Sequence, residues 1–409
     1  MTRVVVTGMS ALTPIGNDWP QAHDSLNRGD SGVVLMDEWR SIDGLGCFLA
    51  APVKTDSLSR LPRKVLRTMS RVSCIAAETA QKAIEESRLA LSGVDMENVG
   101  IAYGSSFGSA EQLPAFARVA SENKVRGISP TAYVQLMSHT ASINLSLLLG
   151  IKGRLYPTSS ACASGGQAIG YAYEAICQGV HPVMIAGSAE ELSPMQVAVF
   201  DSFYAACRST ESPAQAAKPF AHDRNGLVVG EGGATFVLEE LSYAQQRGAP
   251  ILAEVVGFAT NLDGSHVTRQ DVTMMKRVME RALDSAGIKP WQVGYINAHA
   301  AGTQSDGVEA EAIRQVFGDH VPVSSSKGHI GHALGGCGSL EAWLSINMMN
   351  QEWFAPTLNL NHVAEDCSGL AHIEPKGLYK SCDYIMSNNY AFGGVNVSLI
   401  FKRWYEGES

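Results

Sequence analysis

Three short segments carry side chains whose types and spacing suit acyl-transfer chemistry. The first is Ser159-Ser160-Ala161-Cys162-Ala163-Ser164-Gly165-Gly166, a run of small residues around one cysteine. A strand-like stretch, Arg154 to Thr158, leads into it, and an Ala-rich helical stretch, Ala163 to Gly179, leads out. A thiol where a helix starts feels the positive end of the helix dipole, which favours thiolate. Small neighbours let a bulky thioester reach the sulfur, and free backbone N–H groups there can face an oxyanion. The same residues also suit a buried cysteine in a close-packed turn.

The second segment is Asn297-Ala298-His299, which closes a strand-like run and is followed by Gly302, Thr303 and Asp306. The third is Ser326-Lys327-Gly328-His329-Ile330-Gly331-His332, followed by Gly335, Gly336 and Gly338. A lone histidine at a strand end is commonly structural. A lysine and a histidine five apart in a Ser/Gly-rich loop are harder to explain by packing, because glycine supplies no core. His329 and His332 also raise zinc, but no carboxylate or cysteine completes a ligand pattern beside them.

Positioning such loops needs strands and helices, and the chain alternates them. Arg3–Gly8, Val99–Tyr103, Val183–Ala186 and Val293–Asn297 read as short buried strands. Arg63–Glu86, Val272–Ala286 and Gly307–Phe317 read as helices, and Tyr384–Phe401 as two strands around a turn at Gly393 and Gly394. Strands alternating with helices in both halves predict α/β layers with buried sheets. The halves suggest a duplication, although their residues do not match closely.

The bulk numbers exclude several classes. Of 409 residues, 45% are hydrophobic and 17% charged, the balance of a globular chain. A net charge of -9 argues against nucleic-acid binding, while leaving room for a local basic patch. Eight cysteines without CxxC pairs, and no export-type N-terminal segment, predict a reducing cytoplasm without disulfides. No apolar run reaches the ~18 residues of a membrane span.

Taken together, the cysteine, histidine and Lys-x4-His motifs resemble those of the β-ketoacyl-acyl carrier protein synthases of the type I/II group. The resemblance runs from RVVVTG (Arg3–Gly8) to SNNYAFGGVNVSL (Ser387–Leu399), and includes KPFAHDRNGLVVGEGG (Lys218–Gly233). It implies a thiolase-like fold of two similar α/β halves, 1–250 and 251–409, in a layered α-β-α-β-α body. It implies that Cys162 accepts an acyl chain, and that His299 and His332 bind a malonyl thioester carbonyl for decarboxylation. Lys327 would order the site with Glu341 as its acidic partner. Phe392 would gate the site, its N–H joining that of Cys162 in an oxyanion hole. Thr303 and Gly393 fall in the substrate-binding set, with Phe107 and Ala132 along an acyl tunnel. Arg63, Lys64 and Arg67, on one helix, with Lys124 and Arg126, would dock an acyl carrier protein. The resemblance implies a dimer, either of two copies or with a related chain-length factor. It requires no cofactor or metal, since the substrates ride on the carrier's phosphopantetheine.

The chain departs from the family pattern in places. Ala301 stands where a pantetheine-contacting threonine is usual, Asp306 lies one residue closer than its counterpart, and Tyr390-Ala391-Phe392 replaces Phe-Gly-Phe. Phe107 and Ala132 differ from the usual aliphatic and aromatic tunnel residues. GHALGGCGSLEAW and NQEWFAPTLNL look more like a type II polyketide ketosynthase, such as one for aryl polyenes, than a housekeeping enzyme. Two rivals remain in view. A non-catalytic chain-length factor would lack Cys162. A thiolase would need a second cysteine in a Cys-x-Gly turn, where this chain has Phe392-Gly393-Gly394, and Cys382 lacks that setting.

Overall fold

Strand Val4–Leu12 (β1) starts a unit that the chain builds twice. In the first half β1 is followed by Val99–Gly104 (β2), Leu155–Thr158 (β3), Val183–Glu190 (β4) and Gly232–Glu240 (β5). In the second half the strands are Ala253–Leu262 (β6), Val293–Asn297 (β7), Pro322–Ser324 (β8), Tyr384–Tyr390 (β9) and Val395–Arg403 (β10). Their order across the sheets is β3-β2-β4-β5-β1 and β8-β7-β9-β10-β6, the same permutation in both halves. The senses match too. β2 runs parallel to β3 and β4, as β7 does to β8 and β9, and the last two pairings are antiparallel in each half. The duplication that side-chain identity left open is therefore explicit in the topology. A short antiparallel pairing of Val4–Val6 with Ala253–Val255 joins the two sheets. The computed structural model describes residues 2–55, 61, 63–90 and 93–407.

Helices complete the layers. Arg71–Glu86 (α1) and Thr140–Leu149 (α2) cover one outer face, packing on β1, β5 and β2. Val272–Ala286 (α5) packs on β6 and β10, and Ser305–Phe317 (α6) packs on α5. Between the sheets lie Ser164–Cys177 (α3) and Cys337–Asn350 (α7), which touch each other and both sheets. The remaining helix used below, Pro194–Ser202 (α4), follows β4. This is the expected α-β-α-β-α stack.

The central position explains the central sequences. A helix covered on all sides has no polar stripe, and α7 is buried at almost every position, including Ser339, Glu341 and Ser345. Close packing there depends on glycine. A Cβ on Gly170 of α3 would lie 2.1 Å from the Phe258 ring of β6, and one on Gly338 would lie 2.5 Å from the Gly166 nitrogen. The strands fit the same account: β2 and β4 are buried throughout, as sheets covered on both faces require.

Two sequence expectations need correction. The helix read over Arg63–Glu86 is two pieces, Arg63–Leu66 and α1: the first run ends in a turn at Arg67 and Thr68, and Ser70 takes an extended conformation as the N-cap of α1. Strand β5, a central strand of the first half, was not anticipated, because only Thr235, Phe236 and Val237 of its GGATFVLEE run are strong strand formers. The overlap at Phe258 yields a test. Gly170→Ala gains helix propensity but forces a buried ring aside, so a net loss of about 1–3 kcal/mol is expected. A lower urea midpoint at unchanged slope is the readout; an unchanged midpoint would contradict the packing account.

Candidate active site

All the chemistry-bearing loops leave the carboxyl ends of parallel strands, where α/β sheets place their sites. Cys162 follows β3, His299 follows β7, Lys327 and His332 follow β8, and Phe392 follows β9. The duplication makes the loops after β3 and β8 equivalent, so the nucleophile candidate and the Lys/His segment face each other from matching positions. Ala161, one residue before the cysteine, takes a left-handed conformation (φ +48°), a strained turn that projects the next side chain.

The side chains converge. His332 Nε2 lies 3.0 Å from Cys162 Sγ. The His299 and His332 rings stand edge to face, 5.1 Å between centroids. Lys327 is buried and pairs with buried Glu341, while its ammonium also donates to the His299 carbonyl at 2.7 Å and lies 3.4 Å from His299 Nδ1. Asn389 of β9 donates to the second Glu341 oxygen at 2.7 Å. Glu309 of α6 accepts the His299 N–H at 2.7 Å. A cavity of about 500 Å³ opens on Cys162, lined by both histidines, Thr303, Glu309, Tyr390 and Phe392.

Electrostatics follow from that burial. Burial alone would lower the Lys327 pKa, but the Glu341 carboxylate, helped by Cys337 and Glu309, holds the ammonium above its ordinary value. Burial and the Lys327 charge push both histidines well below the ordinary imidazole value, so each ring is neutral near pH 7. Burial pushes the Cys162 thiol up to about 12, against a smaller pull from Lys327. The thiolate expected from the helix dipole is therefore not the resting form. The first helical residue is Ser164, two beyond the cysteine, and burial disfavours the charged sulfur.

The N–H groups of Cys162 and Phe392 have no acceptor among the described residues. Phe392 packs against Phe200 and Phe203, with ring centroids 5.5 and 6.3 Å away. The turn below it is pinned by the Gly393 N–H to the Val267 carbonyl at 2.8 Å. The arrangement thus offers a nucleophile, a base in reach of it, two neutral imidazole donors and two free backbone donors.

Comparison with known proteins agrees with this geometry. Residues 1–244 match the family model "Beta-ketoacyl synthase, N-terminal domain", and residues 252–361 match its C-terminal domain. The chain belongs to the β-ketoacyl synthase family. It is 34% identical to 3-oxoacyl-[acyl-carrier-protein] synthase 2 of Synechocystis sp., over 98% of both chains. It is 34% identical to synthase 1 of Haemophilus influenzae, over 99% of this chain and 100% of that one. A crystal structure of a β-ketoacyl synthase from Burkholderia phymatum shares 44% identity, with a TM-score of 0.97 over 99% and 100% of the chains. A type II polyketide acyl-carrier protein in complex with its ketosynthase matches at 26% identity and TM-score 0.89, over 99% and 100%. Like these relatives, the protein is a condensing acyltransferase.

The other expected residues fall in different surroundings. Thr303 lines the cavity, and its loop is organised by buried Asp306, which accepts N–H groups from Phe220, Ala301, Gly302 and Thr303 at 2.9–3.1 Å. Ala301 brings only a methyl group to the cavity wall. Phe107 is half-buried and Ala132 fully buried, and neither lines this cavity. Arg63, Lys64 and Arg67 are exposed; Arg67 lies in the turn beyond the short helix rather than on it. Lys124 pairs with exposed Glu122, and Arg126 is exposed. His329 is structural, its Nδ1 donating to the Asp30 carbonyl at 2.8 Å. Cys382 sits against Gly294, at the start of the strand whose far end leads to His299.

Sequence reasoning missed Glu309 and Asn389. Only the burial of a carboxyl in the first turns of α6, and a polar pair inside β9, hint at them. Two donor sets have a metal-like spacing, Cys162–His299–His332 and His299–Cys337–Glu341. In the second, Lys327 already neutralises Glu341; the first offers a protonated thiol and neutral rings beside a fixed cation. Both suit hydrogen bonding better than cation binding. Among the described residues no helix is long and apolar enough to cross a membrane.

The Lys327–Glu341 pair supplies a test. Lys327→Ala leaves a buried carboxylate unpaired, at a cost of about 3–5 kcal/mol. The orphaned Glu341 then holds its proton to a higher pH folded than unfolded, so stability falls as pH rises through that raised value. Urea denaturation should show a larger loss at about pH 8 than at about pH 5.5. The double variant Lys327→Ala/Glu341→Gln should recover most of the stability while condensation stays lost. An equal loss at both pH values would contradict a charged pair.

Proposed function

We propose that Cys162 carries the acyl chain and that His299 and His332 drive decarboxylative condensation with a malonyl-carrier protein. The observation that carries this reading is His332 Nε2 at 3.0 Å from Cys162 Sγ, with His299 beside it. In the loading half, Sγ attacks the acyl thioester carbonyl while its proton passes to His332 Nε2. The oxyanion forms against the Cys162 and Phe392 N–H groups, and the carrier's thiol leaves with the proton. In the second half, the malonyl C–C bond breaks and carbon dioxide departs. The electron pair enters the thioester enolate, which the neutral N–H groups of His299 and His332 stabilise, His332 having shifted its proton from Nδ1 to Nε2 once the acylated Sγ no longer donates to it. The enolate carbon attacks the acyl-Cys162 carbonyl, the Cys162 thiolate is expelled and takes up a proton from solvent, and the β-ketoacyl chain stays on the carrier.

Neutral rings suit this work, because a hydrogen-bond donor is needed where charge develops and no proton must be lost first. Lys327 keeps them neutral and fixes His299 through its carbonyl. Fatty-acid or type II polyketide biosynthesis is the setting; the GHALGGCGSLEAW and NQEWFAPTLNL segments favour a specialised, aryl-polyene-like pathway. The presence of Cys162 speaks against the chain-length-factor role. Strand β3 is a sheet edge, and its unpaired backbone suits pairing with a second copy or a related subunit. Sedimentation as a stable, active monomer would contradict that pairing.

Cys162→Ala should abolish acyl loading and condensation with the fold intact, as read by intact mass and product formation. Loading that survives in the purified variant would end the nucleophile assignment. Cys162→Gln is expected to retain malonyl decarboxylation. His299→Ala and His332→Ala should each slow decarboxylation by roughly 10²–10³, the cost of one lost oxyanion donor. Damage to loading and decarboxylation in equal measure would point to a collapsed site.

The carrier is expected to meet the exposed Arg63, Lys64 and Arg67, with Lys124 and Arg126 as a second contact. Reversing Arg63 and Arg67 to Glu should slow loading from the carrier and remove its salt dependence. Loading from a small uncharged thioester should be nearly unchanged. Equal loss with both substrates would place docking elsewhere.

A further inference from the structure

Several buried carboxyls contact the catalytic loops without entering the mechanism above, and Glu190 is the one that ties three segments together. Glu190 ends β4 and is fully buried. One of its oxygens, Oε2, accepts three hydrogen bonds: Ser106 N–H at 2.7 Å, Ser106 O–H at 2.6 Å and Gly335 N–H at 3.1 Å. The other, Oε1, accepts Ser105 O–H at 3.0 Å and Gln196 at a long 3.4 Å. These donors belong to three separate segments.

Ser105 and Ser106 lie in the Gly/Ser-rich loop after β2, a sequence feature that the condensing mechanism does not use. The end of β2 that leads into that loop abuts the start of α3 beyond Cys162, for a Cβ on Gly104 would lie 2.9 Å from Ser164. Gly335 is three residues beyond His332 and follows Leu334, which is held in the left-handed region (φ +45°). Gln196 is on α4, which carries Phe200 against the gating Phe392. A side chain larger than hydrogen at 335 would strike Ser106 N at 2.3 Å and Glu190 Oε2 at 2.6 Å, so the contact is closed on every side. The neighbouring Glu191 clasps the other end of the same loop through Ser109 and Ala110.

We infer that Glu190 is a positioning residue: its carboxylate sets the His332 loop against the loop beside Cys162 and against α4. It touches no reacting atom. It acts through the backbone of Gly335, where a shift moves His332 Nε2 relative to Sγ. Displacements on the order of 1 Å at such a pairing cost roughly 100-fold in rate. Glutamine keeps the shape of the side chain but turns one acceptor into a donor, facing groups that already donate.

This inference rests on the condensing reading, and its test separates the two. Wild-type condensation checks the reading itself. Glu190→Gln should then lower kcat on the order of 10- to 100-fold, with the KM for malonyl-carrier within about threefold. Glu190→Asp should recover part of the loss. Ser106→Ala, which removes one donor contact, the hydroxyl's, and leaves the carboxylate and the backbone N–H, should give a smaller loss of kcat. It should add little in the Glu190→Gln background, because both act through the same oxygen. A folded Glu190→Gln enzyme with wild-type kcat would overturn the inference. So would losses that multiply in the double variant, or losses explained by a smaller folded fraction. If Glu190→Gln does not fold, Ser106→Ala carries the test alone: a fall in kcat at constant KM supports the inference, and unchanged kcat overturns it.

Discussion

A buried ion pair, Lys327 with Glu341, is the constraint on which the site depends. Both partners are taken out of water, and burying such a pair rarely stabilises a fold over apolar packing. Its presence is better explained by what the charge does to its neighbours. The ammonium holds the His299 carbonyl and faces the ring, so it fixes a position and suppresses protonation with one atom. Asn389 completes the hydrogen bonding of Glu341, which keeps the carboxylate where it can hold the lysine. The two imidazoles remain neutral donors, the state in which they can receive developing enolate charge.

The duplicated topology explains how residues distant in sequence meet with such tolerance. Each half sends loops from the carboxyl ends of its parallel strands, and the two halves bring those ends together around α3 and α7. The loop after β3 supplies Cys162 and the equivalent loop after β8 supplies Lys327 and His332. Glu190 and Tyr390 close the equivalent strands β4 and β9. Two largely buried helices fill the space between the sheets, so the loops of the site rest on packed backbone rather than on solvent. The chemistry is shielded, and that shielding raises the Cys162 pKa. Activation of the thiol then falls to the ring beside it, not to the helix dipole.

Much of this was legible in the sequence because the proposed catalytic residues sit in local runs of small residues. Cys162, His299, Lys327 and His332 stood out where glycine and serine replace core-forming side chains. Glu341 emerged only through family resemblance, since nothing in the polarity pattern of α7 sets it apart from a buried helix position. Glu309, Asn389 and Glu190 were not legible, because their partners come from other loops or, for Asn389, a strand and a helix apart. The break between Arg63 and α1 was hidden by good helix formers on both sides, while Ser70 alone marks it. Strand β5 was passed over because its glycine-rich approach reads as a loop.

The claim that a buried cation keeps the two site imidazoles neutral can be measured directly. Histidine side chains labelled with nitrogen-15, assigned through His299→Gln and His332→Gln, report ring protonation by NMR. The account predicts that both rings stay neutral, each with a single N–H, from about pH 8 down to about pH 5.5, below the ordinary histidine pKa. An imidazolium signal for either ring at neutral pH would contradict it.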